Sequence, residues 1–250
     1  MFRLFQTRTL IIAAAGIAAL GGIVFLLIYE TRSARVPAPS PMSASPVVRA
    51  TPHVVGDEKV LLERVKLSVV YFVPRDRQEL IRKDWTYTVE ESLDLMRAFH
   101  RLQFHGKSDL VYEVAREPVI GEYDGAFYDG TDTNRGNPNA WGTVLAELDR
   151  RLGKTPSGQE GTFAVRLVLY EGVGALGGDH QILASSGYLG TSYAATTFYH
   201  ELGHTFGLKD AYNYESGAAY DEDVMGLGRQ KPIGQVYLSD AVKRELGIIL

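Results

Sequence analysis

The eleven residues His200-Glu201-Leu202-Gly203-His204-Thr205-Phe206-Gly207-Leu208-Lys209-Asp210 constrain this chain more than any other part of it. Residues four apart on a helix lie one above the other, so a helix here directs the His200 and His204 imidazoles to one point. That arrangement suits a single metal ion, with Zn–N distances of about 2.0–2.1 Å. Glu201 stands about 100° further round the helix, beside the ion and within reach of a water on it. Gly207 then stops the helix, because glycine takes up positive φ at low cost. A chain turned at Gly207 can bring Asp210 back as an oxygen ligand. Three protein ligands leave a fourth position open, as in a catalytic zinc site. Zinc lowers the pKa of a water it holds to about 7, and Glu201 can accept the proton.

Composition narrows the alternatives. The chain has 250 residues and no cysteine. A cysteine zinc site, an iron–sulfur cluster and a thiol nucleophile are therefore excluded, and any metal is held by His, Asp or Glu. The formal charge of −4 is unevenly spread: residues 1–56 carry +4 and the remainder −8. A body that acidic lacks the clustered Lys and Arg needed to neutralise phosphates, so no nucleic-acid partner is expected.

Leu10 to Tyr29 is an uncharged apolar run of twenty residues, the length a helix needs to span a bilayer. It is longer than the apolar core of a cleavable signal, and Tyr29-Glu30-Thr31-Arg32 is no cleavage site. We therefore expect a signal anchor over residues 1–32, in preference to a cleaved signal peptide. Arg3, Arg8 and the terminal amine favour a cytoplasmic amino terminus and put the body outside the cytoplasm, although Arg32 and Arg35 pull the other way. Residues 33–56 hold five of the ten prolines and read as an extended spacer. Residues 57–250 are left for one globular domain.

Within that domain strands and helices mix. Strands are expected over 65–73, 110–115 and 163–170, with an edge strand and turns within 172–190. An amphipathic helix is expected over 88–104, with Thr88 and Glu91 as its capping box and Leu93, Leu95, Met96, Phe99, Leu102 and Phe104 as its apolar face. Further helices are expected over 141–152, 192–206 and 238–246, the last capped by Ser239. Residues 124–139 read as a loop rich in Gly, Asp and Asn.

His200-Glu201-x-x-His204-x-x-Gly207-x-x-Asp210 resembles the metzincin zinc signature, with Asp in place of the usual third His. The following Asp210-Ala211-Tyr212 makes it similar to snapalysin and to bacterial metalloproteases of the immune-inhibitor-A type. The resemblance implies an α+β catalytic domain with a twisted mixed sheet, an active-site helix and a Met-turn, for which Met225 is the match. It implies zinc on His200, His204 and Asp210, with Glu201 as general base and then proton donor to the leaving amine. It offers Tyr212 for stabilising the oxyanion, with Tyr214 and Tyr220 behind it; simple packing is an equal alternative for Tyr212. It also implies a protein or peptide substrate laid along residues 173–186 as an added strand. The family's thiol-based latency device has no cysteine to use here.

Together these features describe a membrane-anchored zinc endopeptidase. A catalytically inactive binding domain that keeps the zinc site, and a zinc hydrolase of cell-wall peptide or amide bonds, are the alternatives. Structural Ca²⁺ on Asp124, Asp129, Asp132 and Asn134 is a further possibility, although Asx-rich turns are the default there. Asp179-His180 reads as a turn before a second metal site, and His100 and His105 read as structural.

Overall fold

The computed structural model describes residues 63–131, 136–155, 161–211 and 222–248. The anchor at 1–32, the spacer at 33–56 and Tyr212 lie outside the described residues. Among the described residues, no helix is long and apolar enough to cross a membrane.

A single mixed sheet organises the domain. Its strands are β1 (Arg64–Val73), β2 (Asp109–Val114), β3 (Val119–Ile120), β4 (Thr162–Tyr170), β5 (Ala175–Gly178) and β6 (Gln181–Ser185). The order is β2-β1-β4-β6-β5, with β3 pairing to the end of β1. All neighbours are parallel except β5, which runs antiparallel to β6 at the edge. Leu67 pairs with Val165 and Phe72 with Tyr170, so the apolar runs of β1 and β4 lie side by side. A central parallel strand is covered on both faces, which explains why these segments are apolar at nearly every position.

The side-chain period of two sorts these residues onto two cores. Val65, Leu67, Val69, Tyr71 and Val73 of β1 face one way with Phe163, Val165, Leu167 and Leu169 of β4. Over that face pack α1 (Trp85–Gln103) and a later helix that carries the two histidines. The alternate residues Val70, Phe72, Val168, Tyr170 and Leu183 face the other way. They pack with Tyr128 of α2 (Gly125–Asp129) and with Ala140, Val144, Leu145 and Leu148 of α3 (Pro138–Leu152).

Three expectations need correction. Helix α1 begins at Trp85, not Thr88, because the Trp85 ring is buried against Tyr71 at 5.1 Å and draws the first turn onto the sheet. Thr88 caps nothing; its hydroxyl donates back to the Asp84 carbonyl at 3.0 Å. Leu95 and Leu102 lie on the flank of α1 and are exposed, while Leu93, Met96, Phe99 and Phe104 are buried as expected. Residues 124–139 are not one loop. Tyr128 is fully buried, its hydroxyl donating to Glu147 at 2.5 Å, and it holds the short helix α2 in place. Asn137, at φ 62°, accepts from the Ala140 amide at 3.0 Å and starts α3 with Pro138 in its first turn.

Asp124 and Asp129 are engaged by arginines. Asp124 accepts two bonds from Arg75, at 2.9 and 3.0 Å. Asp129 accepts from Arg77 and, at 2.7 Å, from the Tyr170 hydroxyl. Guanidinium groups thus occupy the carboxylates offered above for calcium; Asp132 and Asn134 lie outside the described residues.

Candidate metal centre

The helix α4 (Ala194–Thr205) lies against the sheet through Ala194, Ala195, Phe198, Tyr199 and Leu202. Its end is built as the sequence suggested. Gly207 adopts φ 86°; its amide donates to the His204 carbonyl at 3.0 Å, and the Leu208 amide donates to Gly203 at 3.1 Å. This is a Schellman closure, and it reverses the chain so that Asp210 returns toward the helix.

Two backbone carbonyls fix the imidazoles. His200 Nδ1 donates to the Val224 carbonyl at 2.8 Å, and His204 Nδ1 donates to the Leu208 carbonyl at 2.9 Å. A carbonyl can only accept, so each ring carries its hydrogen on Nδ1 and leaves the Nε2 lone pair free. The two Nε2 atoms are 3.2 Å apart. Asp210 Oδ1 lies 3.2 Å from that of His200 and 3.4 Å from that of His204. Three electron-rich atoms so close together can hold a cation among them.

The spacing suits a metal. A tetrahedral ion with bonds of about 2.0–2.1 Å keeps its ligand atoms about 3.3–3.4 Å apart. Two imidazole nitrogens and one carboxylate oxygen are the donors of a first-row transition ion, whereas calcium takes oxygen ligands. These three residues form the one cluster among the described residues able to hold a metal. Asp210 is exposed while His200 is buried, so the site opens on the Asp210 side.

The electrostatics agree. Burial opposes ionisation of Asp210, but the imidazoles of His200 and His204 beside it hold its carboxyl far below the usual carboxylate range. Burial also disfavours charge on His204, yet the neighbouring Asp210 carboxylate and the Leu208 carbonyl raise its pKa overall. Burial pushes the Glu201 carboxyl up, against the pull of the His200 and His204 charges. A carboxylate raised in this way is a stronger base than an exposed one.

Met225 is fully buried beneath α4. A Cβ added at Gly203 would come within 2.4 Å of its sulfur, so the bare glycine gives the Met225 side chain its place against the helix. The Met225 carbonyl accepts the Ala211 amide at 2.8 Å, which ties the residue after Asp210 to the same turn. On the other side of the helix Gly177 of β5 is equally close, since a Cβ there would lie 2.0 Å from the Glu201 carbonyl oxygen.

Structure brings His200, His204 and Asp210 together and sets Glu201 beside them on the helix. Asp179 and His180, at φ 41° and 61°, form the two-residue turn between β5 and β6, and His180 is bonded to the Ala164 carbonyl at 2.8 Å. His100 is buried between Tyr199 and Ser108, away from the cluster. Sequence reasoning missed Arg229, whose charge acts on Glu201, and Tyr188, whose hydroxyl the Glu201 carboxylate helps keep protonated. No motif marks either residue.

The chain matches no protein-family model and no curated protein sequence. Among solved structures it is similar to OgpA from Akkermansia muciniphila, at 16% identity and a TM-score of 0.49, over 80% of this chain and 67% of that one. It is similar also to metalloproteinase-II from Bacteroides fragilis, at 13% identity and a TM-score of 0.43, over 80% of this chain and 58% of that one.

Proposed function

We propose that this chain is a zinc-dependent endopeptidase of metzincin type, held at a membrane by residues 1–32 with residues 57–250 outside the cytoplasm. The observation that carries the reading is the convergence of His200 Nε2, His204 Nε2 and Asp210 Oδ1 within 3.4 Å, with Glu201 next on the same helix. Zinc bound there would supply Lewis acidity toward a peptide carbonyl and the attacking water. Glu201 would accept a proton from a water at the site on its carboxylate and pass it to the amine that leaves. Its raised pKa suits the first step, because burial makes the carboxylate a stronger base.

The edge of the sheet supports an extended peptide as substrate. Ser185 donates to the Gly174 carbonyl at 2.8 Å. In an antiparallel pair bonded and non-bonded positions alternate, so Leu176 and Gly178 also point at β6. Ala175 and Gly177 then turn their amide and carbonyl groups to the open side, where a peptide can add as a further strand. Gly177 sits against Glu201, so a peptide paired there passes the catalytic helix.

The test is a chelator-sensitive cleavage assay on an unfolded protein such as casein, combined with zinc analysis of each variant. Glu201→Ala should retain zinc and lose hydrolysis, and His204→Ala should lose both. Full peptidase activity in Glu201→Ala would refute the assignment of the base. A wild-type protein that holds zinc without turnover would point to a binding domain instead.

A further inference from the structure

We infer that Asp223 is a positioning residue for the metal centre, acting through the turn that carries Met225. This rests on the reading of His200, His204 and Asp210 as ligands, and it adds a residue that no part of the zinc signature contains.

Asp223 is fully buried. Its Oδ1 accepts the Met225 amide at 2.8 Å and its Oδ2 accepts the Ser239 amide at 2.9 Å. Its backbone carbonyl accepts the Gly226 and Gly228 amides at 2.9 and 3.1 Å. One residue thus closes the turn at 223–228 on itself and fastens it to the start of α5 (Asp240–Glu245), where Ser239 is the cap. Two amide donors arriving from different segments call for one acceptor oxygen each. A carboxylate provides both, whereas an asparagine side chain has one acceptor and places an NH₂ group against the second donor.

From this turn two ligands take their orientation. The Val224 carbonyl, next to Asp223, receives the His200 Nδ1 hydrogen at 2.8 Å and so sets the tautomer that frees Nε2. The Met225 carbonyl receives the Ala211 amide at 2.8 Å and so fixes the chain at Asp210. His204, by contrast, is oriented by Leu208 within its own helix closure. Asp223 therefore governs the half of the centre that the helix cannot organise alone. If its grip loosens, the Val224 and Met225 carbonyls shift together, and His200 Nε2 and Asp210 Oδ1 leave the positions at which they meet His204. Residues that orient metal ligands in this indirect way are worth roughly 10–100-fold in metal affinity.

The experiment measures zinc affinity by chelator competition and the visible absorption of the cobalt-substituted protein, with no substrate present. The variants are Asp223→Asn and Val144→Ala, the latter in the core on the opposite face of the sheet. Asp223→Asn should weaken zinc binding about 10–100-fold and move the cobalt bands. Val144→Ala should lower the melting temperature and leave both readings unchanged, which separates positioning from general loss of stability. Should Asp223→Asn fail to fold, Asp223→Ser takes its place. A serine hydroxyl can still accept from the amide two residues on but cannot reach Ser239, so a smaller change in the same direction is expected. Wild-type zinc affinity and an unaltered cobalt spectrum in the folded Asp223 variant would overturn the inference alone. A wild-type chain that binds neither zinc nor cobalt would remove the ligand reading and this inference with it.

Discussion

Acid should destabilise this domain through His100, and the size of the effect follows from where the ring lies. His100 is fully buried on α1, stacked on Phe104 at 4.1 Å, with Nδ1 2.9 Å from the Tyr199 hydroxyl and Nε2 2.8 Å from the Ser108 hydroxyl. Two hydroxyls satisfy a neutral ring, which has one donor and one acceptor, and no carboxylate is bonded to it to support a charged one. Burial pushes its pKa down from 6.5 to about 3. Between those values the unfolded chain binds a proton that the native state refuses, so stability falls as pH falls. The slope approaches about 1.4 kcal/mol per pH unit, and between about pH 7.5 and 4.5 this one group removes on the order of 2.5 kcal/mol. Urea unfolding of wild type and His100→Gln at both pH values isolates the effect, because other titrating groups are common to the two proteins. His100→Gln should be the less stable at the higher pH, and the gap should close by that amount at the lower. A gap that stays constant would refute the reasoning, since it would mean that the ring titrates normally inside the fold.

Two further predictions concern the site. Gly177→Ala sets a methyl group 2.0 Å from the Glu201 carbonyl oxygen, a backbone atom that cannot swing aside. The strain should cost about 1–3 kcal/mol and lower kcat/KM by more than the loss of folded protein explains, because the helix must shift at Glu201; a wild-type melting curve would contradict the close packing. Metal removal should lower the melting temperature, since zinc at about 100 times its Kd adds about 2.7 kcal/mol to the native state. Calorimetry with and without chelator checks this, and equal curves would mean that the folded chain does not prefer the metal.

What could be read in advance follows from how locally each feature is encoded. The strands β1, β2 and β4 are dense apolar runs and were legible. The start of α3 was not, because Gly136 and Asn137 look like loop residues, and only the left-handed backbone of Asn137 turns them into a cap. The start of α1 was hidden for the opposite reason. Thr88 and Glu91 imitate a capping box, while the burial of Trp85 against a strand twelve or more residues away decides where the helix begins. At the site, His200, Glu201, His204, Gly207 and Asp210 are contiguous and could be read as a unit. The Val224 carbonyl that orients His200 could not, because a backbone atom has no letter in the sequence. Gly177 and Gly203 were equally silent, since their role is the space they leave.

That division has a consequence for how the metal and the fold depend on each other. His204 is oriented from four residues away, within the motif, whereas His200 is oriented from Val224, across the domain. The helix between them is clamped by Gly177 above Glu201 and by Met225 beneath Gly203. Met225 belongs to the apolar core beneath the sheet-facing side of α4, and Gly177 to the edge strand. The ligand atoms lie 3.2–3.4 Å apart, each imidazole held by a backbone carbonyl. In a domain whose metal supplies the folding energy, removing the metal unfolds the chain. Here it should lower the melting temperature and leave a cooperative transition, because two apolar cores, one on each face of the sheet, hold the domain together. Near-ultraviolet circular dichroism of the metal-free protein decides the point, since loss of its aromatic signal at room temperature would show that the ion builds the site it occupies.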